Sequence, residues 1–174
     1  MTTEPMGVTI RSERVEDLPG IREVNVAAFD TALEADLVDA LRERARPLVS
    51  LVALAGTEIV GHILFSPVTL LSHPDMSVMG LAPMAVSPAL QRQGIGSALV
   101  RAGLEECRLQ GAVAVVLIGH ADYYPRFGCV PASTFGLTSE YEVPDEAFMA
   151  LELVPGALQQ RAGTIRYHQA FSDA

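Results

Sequence analysis

The residues with the clearest chemistry lie in one loop near the middle of the 174-residue chain. Gly94 and Gly96 stand one residue apart, between a predicted strand and a predicted helix. Glycine lets the backbone approach a ligand closely, and the first turn of a helix presents unpaired N–H groups at the positive end of its dipole. We expect this loop to bind a pyrophosphate, and Arg92 to add a charge-assisted contact.

Two glycines at this spacing do not by themselves specify a nucleotide site. The dinucleotide fingerprint requires a third glycine at position 99, which is Leu99, so a Rossmann domain is excluded. A turn followed by a helix cap explains the glycines as well. This structural alternative predicts that the loop binds no pyrophosphate.

The elements around the loop are predicted to form one βαβ unit. A strand over 77–86 precedes the loop, a helix over 96–110 follows it, and the apolar run 112–118 comes next. Uninterrupted apolar runs are typical of parallel strands that are covered on both faces, and the crossover is expected to be right-handed. The predicted apolar face of the helix carries Leu99, Ala102 and Leu109.

The rest of the chain predicts an α+β domain with a mixed sheet. Helices are expected near 18–28 and 32–45, and a short one near 122–127. Strands are expected over the ranges 8–11, 48–55, 58–70, 133–137 (broken), 147–153 and 163–171. Since no linker or internal repeat divides the sequence, we expect a single domain over 1–174.

Composition excludes several classes of function. Apolar residues make up 49% of the chain, which argues against disorder. The formal charge of −9 disfavours nucleic acid and anionic membrane as partners. All 12 basic residues are arginine, so a Schiff-base lysine and a Walker lysine are both excluded.

The cysteines and the hydropathy pattern predict a cytoplasmic protein. Cys107 and Cys129 show no spacing typical of a metal site, so no metal is expected. Residues 1–10 contain no basic region followed by an apolar stretch, and no apolar run reaches the roughly 18–20 residues of a membrane span.

The sequence resembles the GNAT acetyltransferase superfamily in two motifs. The run 86–88 followed by Gln91-Arg92-Gln93-Gly94-Ile95-Gly96 resembles its acyl-CoA loop, and Tyr124, four residues before Gly128, resembles its second signature. The order of elements also resembles that fold along nearly the whole chain. The segments 28–29, 34–35, 61–63 and 123–124 resemble one bacterial branch of the superfamily.

The resemblance implies a fold and a reaction. The fold would be a mixed, mostly antiparallel sheet with a central splayed parallel strand pair and flanking helices. The reaction would move an acetyl group from acetyl-CoA to a primary amine, by direct transfer in a ternary complex. The residues implied to bind the co-substrate are Met84, Ala85 and Val86, which pair with the pantetheine arm, and Arg92, Gln93, Gly94, Ile95, Gly96 and Ser97, which hold the pyrophosphate.

Tyr124 matches the family tyrosine that protonates the departing thiolate, and Tyr123 is interpreted as a wall of the pocket. Packing is the alternative role for both. The identity of the base that accepts the amine proton is left open, because a general base must lie within hydrogen-bond distance of the amine and must also have a suitable pKa. The candidates are His73, Asp75, His120 and Asp122.

The sequence departs from the family pattern at two positions. Leu117 stands where the commoner signature has an asparagine that contacts the CoA arm, and Cys129 stands where phenylalanine is usual. A non-catalytic acyl-CoA-binding sensor is the alternative function, which would keep both glycines without needing Tyr124. The acceptor, the acyl chain length and a homodimer are left open.

Overall fold

The computed structural model describes residues 7–173. The strands of this part of the chain are β1 (Val8–Ser12), β2 (Val49–Ala55), β3 (Glu58–Leu70), β4 (Val78–Val86), β5 (Ala114–Ile118), β6 (Val130–Pro131), β7 (Leu137–Ser139), β8 (Phe148–Glu152) and β9 (Gly163–Arg166). Its α-helices are α1 (Leu18–Phe29), α2 (Leu33–Arg44), α3 (Ile95–Leu109) and α4 (Ala170–Asp173). None of the helices within 7–173 has the length and apolar character needed to cross a membrane.

The strands form one mixed sheet in which most neighbours are antiparallel. The main path runs β1-β2-β3-β4-β5-β8-β6, and β9 pairs with both β3 and β7. β4 and β5 are parallel neighbours joined through α3, as the predicted βαβ unit requires. The predicted α+β class with a central parallel pair is therefore confirmed.

The parallel pair separates soon after it begins. β4 and β5 pair with each other from Val78–Ala114 to Gly80–Val116. Beyond these residues β4 continues to Val86 and β5 to Ile118, but the two strands no longer pair with each other. On its other edge β4 stays paired with β3, but the register shifts between Ile63 and Phe65. This bulge lies in the part of β4 that has left β5, where the edge of β4 that would face β5 is open.

Both faces of the sheet are covered by apolar side chains. On one face, α3 packs against Ile63, Phe65 and Val115. On the other, α1 and α2 bury Leu64 with their own Ile21 and Leu41. β5 contributes to both faces in alternation, which explains why its sequence is an unbroken apolar run.

Glycines set both ends of α3. Gly94 is its N-cap with φ 89°, and Gly111, with φ 93°, follows its last turn. The buried face is formed by Ile95, Ala98, Leu99, Val100, Gly103 and Cys107. The prediction that Leu109 joins this face is wrong, because Leu109 lies at the helix end and is 65% exposed.

Two predicted strands near the C-terminus are also wrong in part. Residues 132–135 form a 3-10 helix closed by the Gly136 N–H donating to Ser133 O, so only the end of the predicted 133–137 strand is extended. The strand predicted over 163–171 ends at Arg166, because the His168 Nδ1 accepts the Ala170 N–H and starts α4. Local side-chain and turn bonds override the β-branched pattern in both places.

Candidate functional site

A cleft of about 640 Å³ opens where β4 leaves its parallel partner. The end of β4, the loop that follows it, the start of α3 and the turn at Tyr123 surround it. Its lining residues are Met84, Val86, Leu90, Gln91, Arg92, Gly94, Gly96, Ser97, His120, Tyr123 and Arg126. The loop that the sequence singled out therefore faces a cavity rather than solvent alone.

The start of α3 directs unused backbone donors at this cleft. The first backbone bond of the helix runs from the Ala98 N–H to Gly94 O. No side chain caps the helix at Gly94. The N–H groups of Ile95, Gly96 and Ser97 have no acceptor within the helix, as expected for a first turn, and remain available for an anion.

Gly96 keeps the cleft open beside these donors. A Cβ added there would lie 3.4 Å from the Tyr123 hydroxyl oxygen and 3.5 Å from Met84 Cε. One methyl group would fit in ordinary van der Waals contact, whereas a branched side chain would fill the gap between Tyr123 and Met84. The cavity thus depends on a small residue at this position.

The predicted residues of the loop contribute different groups to the cleft. Ile95 is 3% exposed and packs in the core, and Gln93 is exposed and does not line the cleft, so neither side chain contributes to its wall. Arg92 adopts φ 65° and lines the cleft. The loop therefore supplies backbone groups from several residues and a cation from one.

The β4 residues lie at the predicted edge, with one group already engaged. Met84 and Val86 line the cleft, while Ala85 is 1% exposed and pairs with His62 of β3. The Gln91 side-chain amide donates to Val86 O over 3.0 Å. This bond fixes the end of β4 against the loop and occupies one carbonyl that the sequence assigned to a ligand.

Tyr123 forms the wall opposite the helix start. Its hydroxyl lies 2.9 Å from Ser97 Oγ, so the two elements that bound the cleft are tied together. The Arg126 guanidinium lies 4.4 Å from the centre of the Tyr123 ring, and its Nε donates to Tyr123 O over 2.8 Å. Arg126 was not predicted as a site residue; its position two residues after Tyr124 was the available signal.

The cleft has an electrostatic character opposite to that of the chain. The sequence has 21 acidic residues against 12 basic ones. Among the described residues that line the cleft, none is acidic, and Arg92 and Arg126 are both cationic. Such a surplus of positive charge in an acidic protein favours an anionic ligand.

Tyr124 lies behind Tyr123 and is mostly buried. Its ring centre is 5.0 Å from that of Tyr123 in an edge-to-face arrangement, and it is 8% exposed. Burial raises the pKa of Tyr124 to about 12, with smaller contributions from Tyr123 and Cys129. The phenol therefore keeps its proton throughout the physiological range.

Of the four candidate bases, His120 alone lines the cleft among the residues described. The His73 Nδ1 is 3.0 Å from the Ser72 hydroxyl in the turn before β4. Asp75 and Asp122 are exposed and contribute nothing to the wall of the cleft. The cleft wall thus contains one histidine, His120, and one tyrosine, Tyr123, while Tyr124 lies behind Tyr123.

The cysteines are placed as packing residues. Cys107 and Cys129 are both free and buried. Burial raises the pKa of Cys107 to about 12 and that of Cys129 to about 11, so neither is a thiolate at neutral pH. Residues 7–173 contain no cluster of three or more side chains suited to a metal ion.

A polar network that was not predicted from the sequence lies on the sheet face that α1 and α2 cover. His62 is 0% exposed; its Nε2 lies 2.9 Å from Ser50 Oγ and its Nδ1 3.2 Å from Asn25 Nδ2. Ser50 donates in turn to Glu13, which accepts two hydrogen bonds from Arg42. Because the Ser50 proton goes to the carboxylate and Asn25 donates to Nδ1, His62 carries its proton on Nε2.

Comparison with known proteins gives consistent matches along the chain. Residues 14–128 match the Acetyltransferase (GNAT) family. The uncharacterized N-acetyltransferase YjhQ of Escherichia coli K12 is 45% identical over 134 residues, which cover 75% of this chain and 74% of the relative.

Two solved structures resemble the fold over nearly its full length. The GNAT family N-acetyltransferase YhbS from Escherichia coli, in complex with CoA, has a TM-score of 0.90 and 32% identity, covering 99% of this chain and 96% of that one. A GNAT family acetyltransferase from Brucella melitensis, in complex with acetyl-CoA, has a TM-score of 0.78 and 36% identity, covering 94% and 97%.

Proposed function

We propose that this chain, which belongs to the Acetyltransferase (GNAT) family, transfers an acetyl group from acetyl-CoA to a primary amine on a small molecule or peptide. We assign the activity to one domain that spans residues 1–174. Two similar proteins were solved in complex with CoA or acetyl-CoA, which supports the choice of donor.

The observation that carries the proposal is the cleft at the split between β4 and β5. It combines a helix start with free N–H groups, two arginines and no acidic side chain among its described lining residues. Acetyl-CoA needs such a site, because its diphosphate is anionic while its pantetheine arm is narrow and can hydrogen-bond to an open strand edge. Gly96 leaves the room that this donor requires.

Each predicted site residue then has a role. The backbone N–H groups from Arg92 through Ser97 bind the diphosphate, and Arg92 adds a charged contact. The open edge of β4 at Met84, Ala85 and Val86 pairs with the arm, and a backbone donor there stabilises negative charge on the thioester oxygen. Backbone groups make most of these contacts, which explains why Ala85 and Ile95 have apolar side chains that take no part in binding.

The chemical step is a direct transfer that requires one proton for the leaving group. The neutral amine attacks the thioester carbonyl carbon, the C–N bond forms, and the C–S bond breaks. Tyr124 gives its phenolic proton to the departing sulfur, and the proton released by the amine passes to solvent or to a base. His120 is the base candidate that the cleft contains.

The buried cysteines support direct transfer over a covalent intermediate. An acyl-enzyme would need a nucleophilic thiolate, and the raised pKa values of Cys107 and Cys129 leave both protonated. Two free thiols are also typical of a reducing compartment, which supports a cytoplasmic location.

The test is an assay of thiol release from acetyl-CoA against a panel of amines, small molecules and peptides with free amino groups. We expect release that depends on both protein and amine, with acetylated product identified by mass spectrometry. The control omits the amine, and should show only slow hydrolysis. A protein that binds acetyl-CoA but acetylates no amine in a broad panel would argue against catalysis.

A further inference from the structure

A second groove, of about 680 Å³, adjoins the cleft. It lies between α3, the turn Tyr124–Phe127 and Leu153, and Arg126 lines both cavities. Arg101 and Arg108 of α3 also line the groove, together with Glu105 and Glu106. Since Arg108 pairs with Glu105, the groove retains Arg101 and Arg126 as cations without an ion pair among the described residues.

The structure holds both of these arginines in place without neutralising them. The Arg126 guanidinium is fixed over the Tyr123 ring by one hydrogen bond from Nε, which leaves its terminal nitrogens without a hydrogen bond to any described residue. The Arg101 guanidinium lies 5.0 Å from the centre of the Phe127 ring. Stacking on a ring face orients a guanidinium while its edge stays free for another partner.

Most other arginines that are fixed in this chain are fixed by carboxylates. Ion pairs join acidic side chains to Arg11, Arg22, Arg42, Arg44 and Arg108. In a chain with an excess of acids, two oriented and unpaired guanidiniums on adjacent aromatic rings leave a binding capacity for anions at the outer rim of the cleft.

We propose that Arg126, with Arg101 beside it, binds a phosphate monoester on the nucleotide end of the acyl donor, outside the diphosphate site at the start of α3. Acetyl-CoA carries such a group as the 3′-phosphate of its ribose. The contact makes the protein selective for the 3′-phosphorylated donor over its dephosphorylated form. This inference rests on the proposed function, because it takes acetyl-CoA as the donor.

The experiment measures the dissociation constants of acetyl-CoA and 3′-dephospho-acetyl-CoA by calorimetry, at one fixed salt concentration. The proteins are the unmodified chain, Arg126→Gln, Arg101→Gln and the control Arg166→Gln, which removes an exposed arginine of β9 that lines neither cavity. Circular dichroism verifies that each variant is folded. Because the guanidiniums are solvent-exposed, we expect an effect near the lower end of the range for a hydrogen bond to a charged group, which is about tenfold in affinity.

We expect the unmodified chain to bind acetyl-CoA about tenfold more tightly than the dephosphorylated donor. Arg126→Gln should remove that preference, because it should weaken the binding of acetyl-CoA and leave that of the dephosphorylated donor unchanged. Arg101→Gln should reduce the preference, and Arg166→Gln should leave it intact. Equal affinity of the unmodified chain for both donors, or an equal loss for both in Arg126→Gln, overturns the inference. If the unmodified chain binds neither donor, the proposed function fails first and this inference fails with it.

Discussion

Gly119 makes room for the ring of Tyr124. A Cβ added at Gly119 would lie 2.5 Å from Cε2 and 2.9 Å from Cδ2 of that tyrosine, closer than side-chain atoms pack. Gly119 follows β5 directly, and its N–H donates to Ala147 O, so the backbone cannot easily retreat. The orientation of the proposed general acid therefore depends on a glycine five residues earlier.

Gly119→Ala should displace the Tyr124 ring and lower kcat by about tenfold, a part of what a general acid contributes. The dissociation constant of acetyl-CoA should change by less than about twofold, because the first turn of α3 is untouched. Steady-state kinetics and calorimetry measure the two quantities. In a double-mutant cycle, Gly119→Ala should cost little more once Tyr124→Phe is present. Independent, additive losses would show that Gly119 acts elsewhere.

The two adjacent tyrosines should separate turnover from binding. Tyr124→Phe removes the proposed proton donor and should lower kcat at least about tenfold without weakening acetyl-CoA binding. Tyr123→Phe removes the bond to Ser97, and should instead weaken acetyl-CoA binding with a smaller effect on kcat. The pair is matched because each change deletes one hydroxyl. Unchanged turnover in Tyr124→Phe would remove Tyr124 from the mechanism.

The pKa of Tyr124 makes a further prediction about the alkaline range. Since burial raises this pKa to about 12, the acid stays protonated well above neutral pH. We expect kcat to show no loss from tyrosine ionisation up to pH ~10, the ordinary pKa of a phenol. A fall in kcat with a midpoint near neutral pH that disappears in Tyr124→Phe would contradict this assignment.

Stability should depend on pH through His62. Burial lowers the pKa of His62 from 6.5 to about 4, with Glu13 opposing this effect. The unfolded chain therefore takes up a proton that the folded chain refuses between these values. The contribution of neutral His62 to the free energy of unfolding should be fully present above pH 6.5. It should decrease as the pH falls toward 4, by about 3 kcal/mol in total.

Denaturant unfolding at pH 7.5 and pH 5 measures this dependence. Burial raises the pKa of Glu13, but the hydrogen bonds from Arg42 and Ser50 together with the charge of Arg42 outweigh burial and keep this pKa below the usual 4.5, so Glu13 is still ionised at pH 5. His62→Gln should abolish most of the pH dependence, whereas the control His73→Gln, in an open turn, should retain it. Equal pH dependence in both variants would exclude His62 as the source.

The sequence predicted the loop and its helix because local rules apply there. Glycines mark both ends of α3, and the unbroken apolar run of β5 is typical of a strand covered on both faces. The separation of β4 from β5 was predicted only by the family resemblance. No local pattern encodes it, since it depends on the bulge at Ile63–Phe65 and on where pairing stops.

Contacts between distant segments were not predictable from the sequence. His62 contacts Asn25 and Ser50, and Glu13 joins the network through Ser50. These three residues lie on three other segments, so a single histidine within an apolar strand gave no indication of them. Arg126 shows the same limitation over a short distance. Its place over Tyr123 depends on the 3-10 turn, whose geometry the residue types do not specify.

Calorimetric titration with acetyl-CoA, for the unmodified chain and for Gly96→Val, tests the central claim most directly. The valine side chain would fill the space between Tyr123 and Met84, and we expect the fold to remain intact because a Cβ at Gly96 meets no neighbouring side chain closer than 3.4 Å. We predict binding in the micromolar range for the unmodified chain and its loss in the variant. A folded, unmodified chain that shows no binding at millimolar acetyl-CoA would contradict the account and leave the glycines as an ordinary helix start.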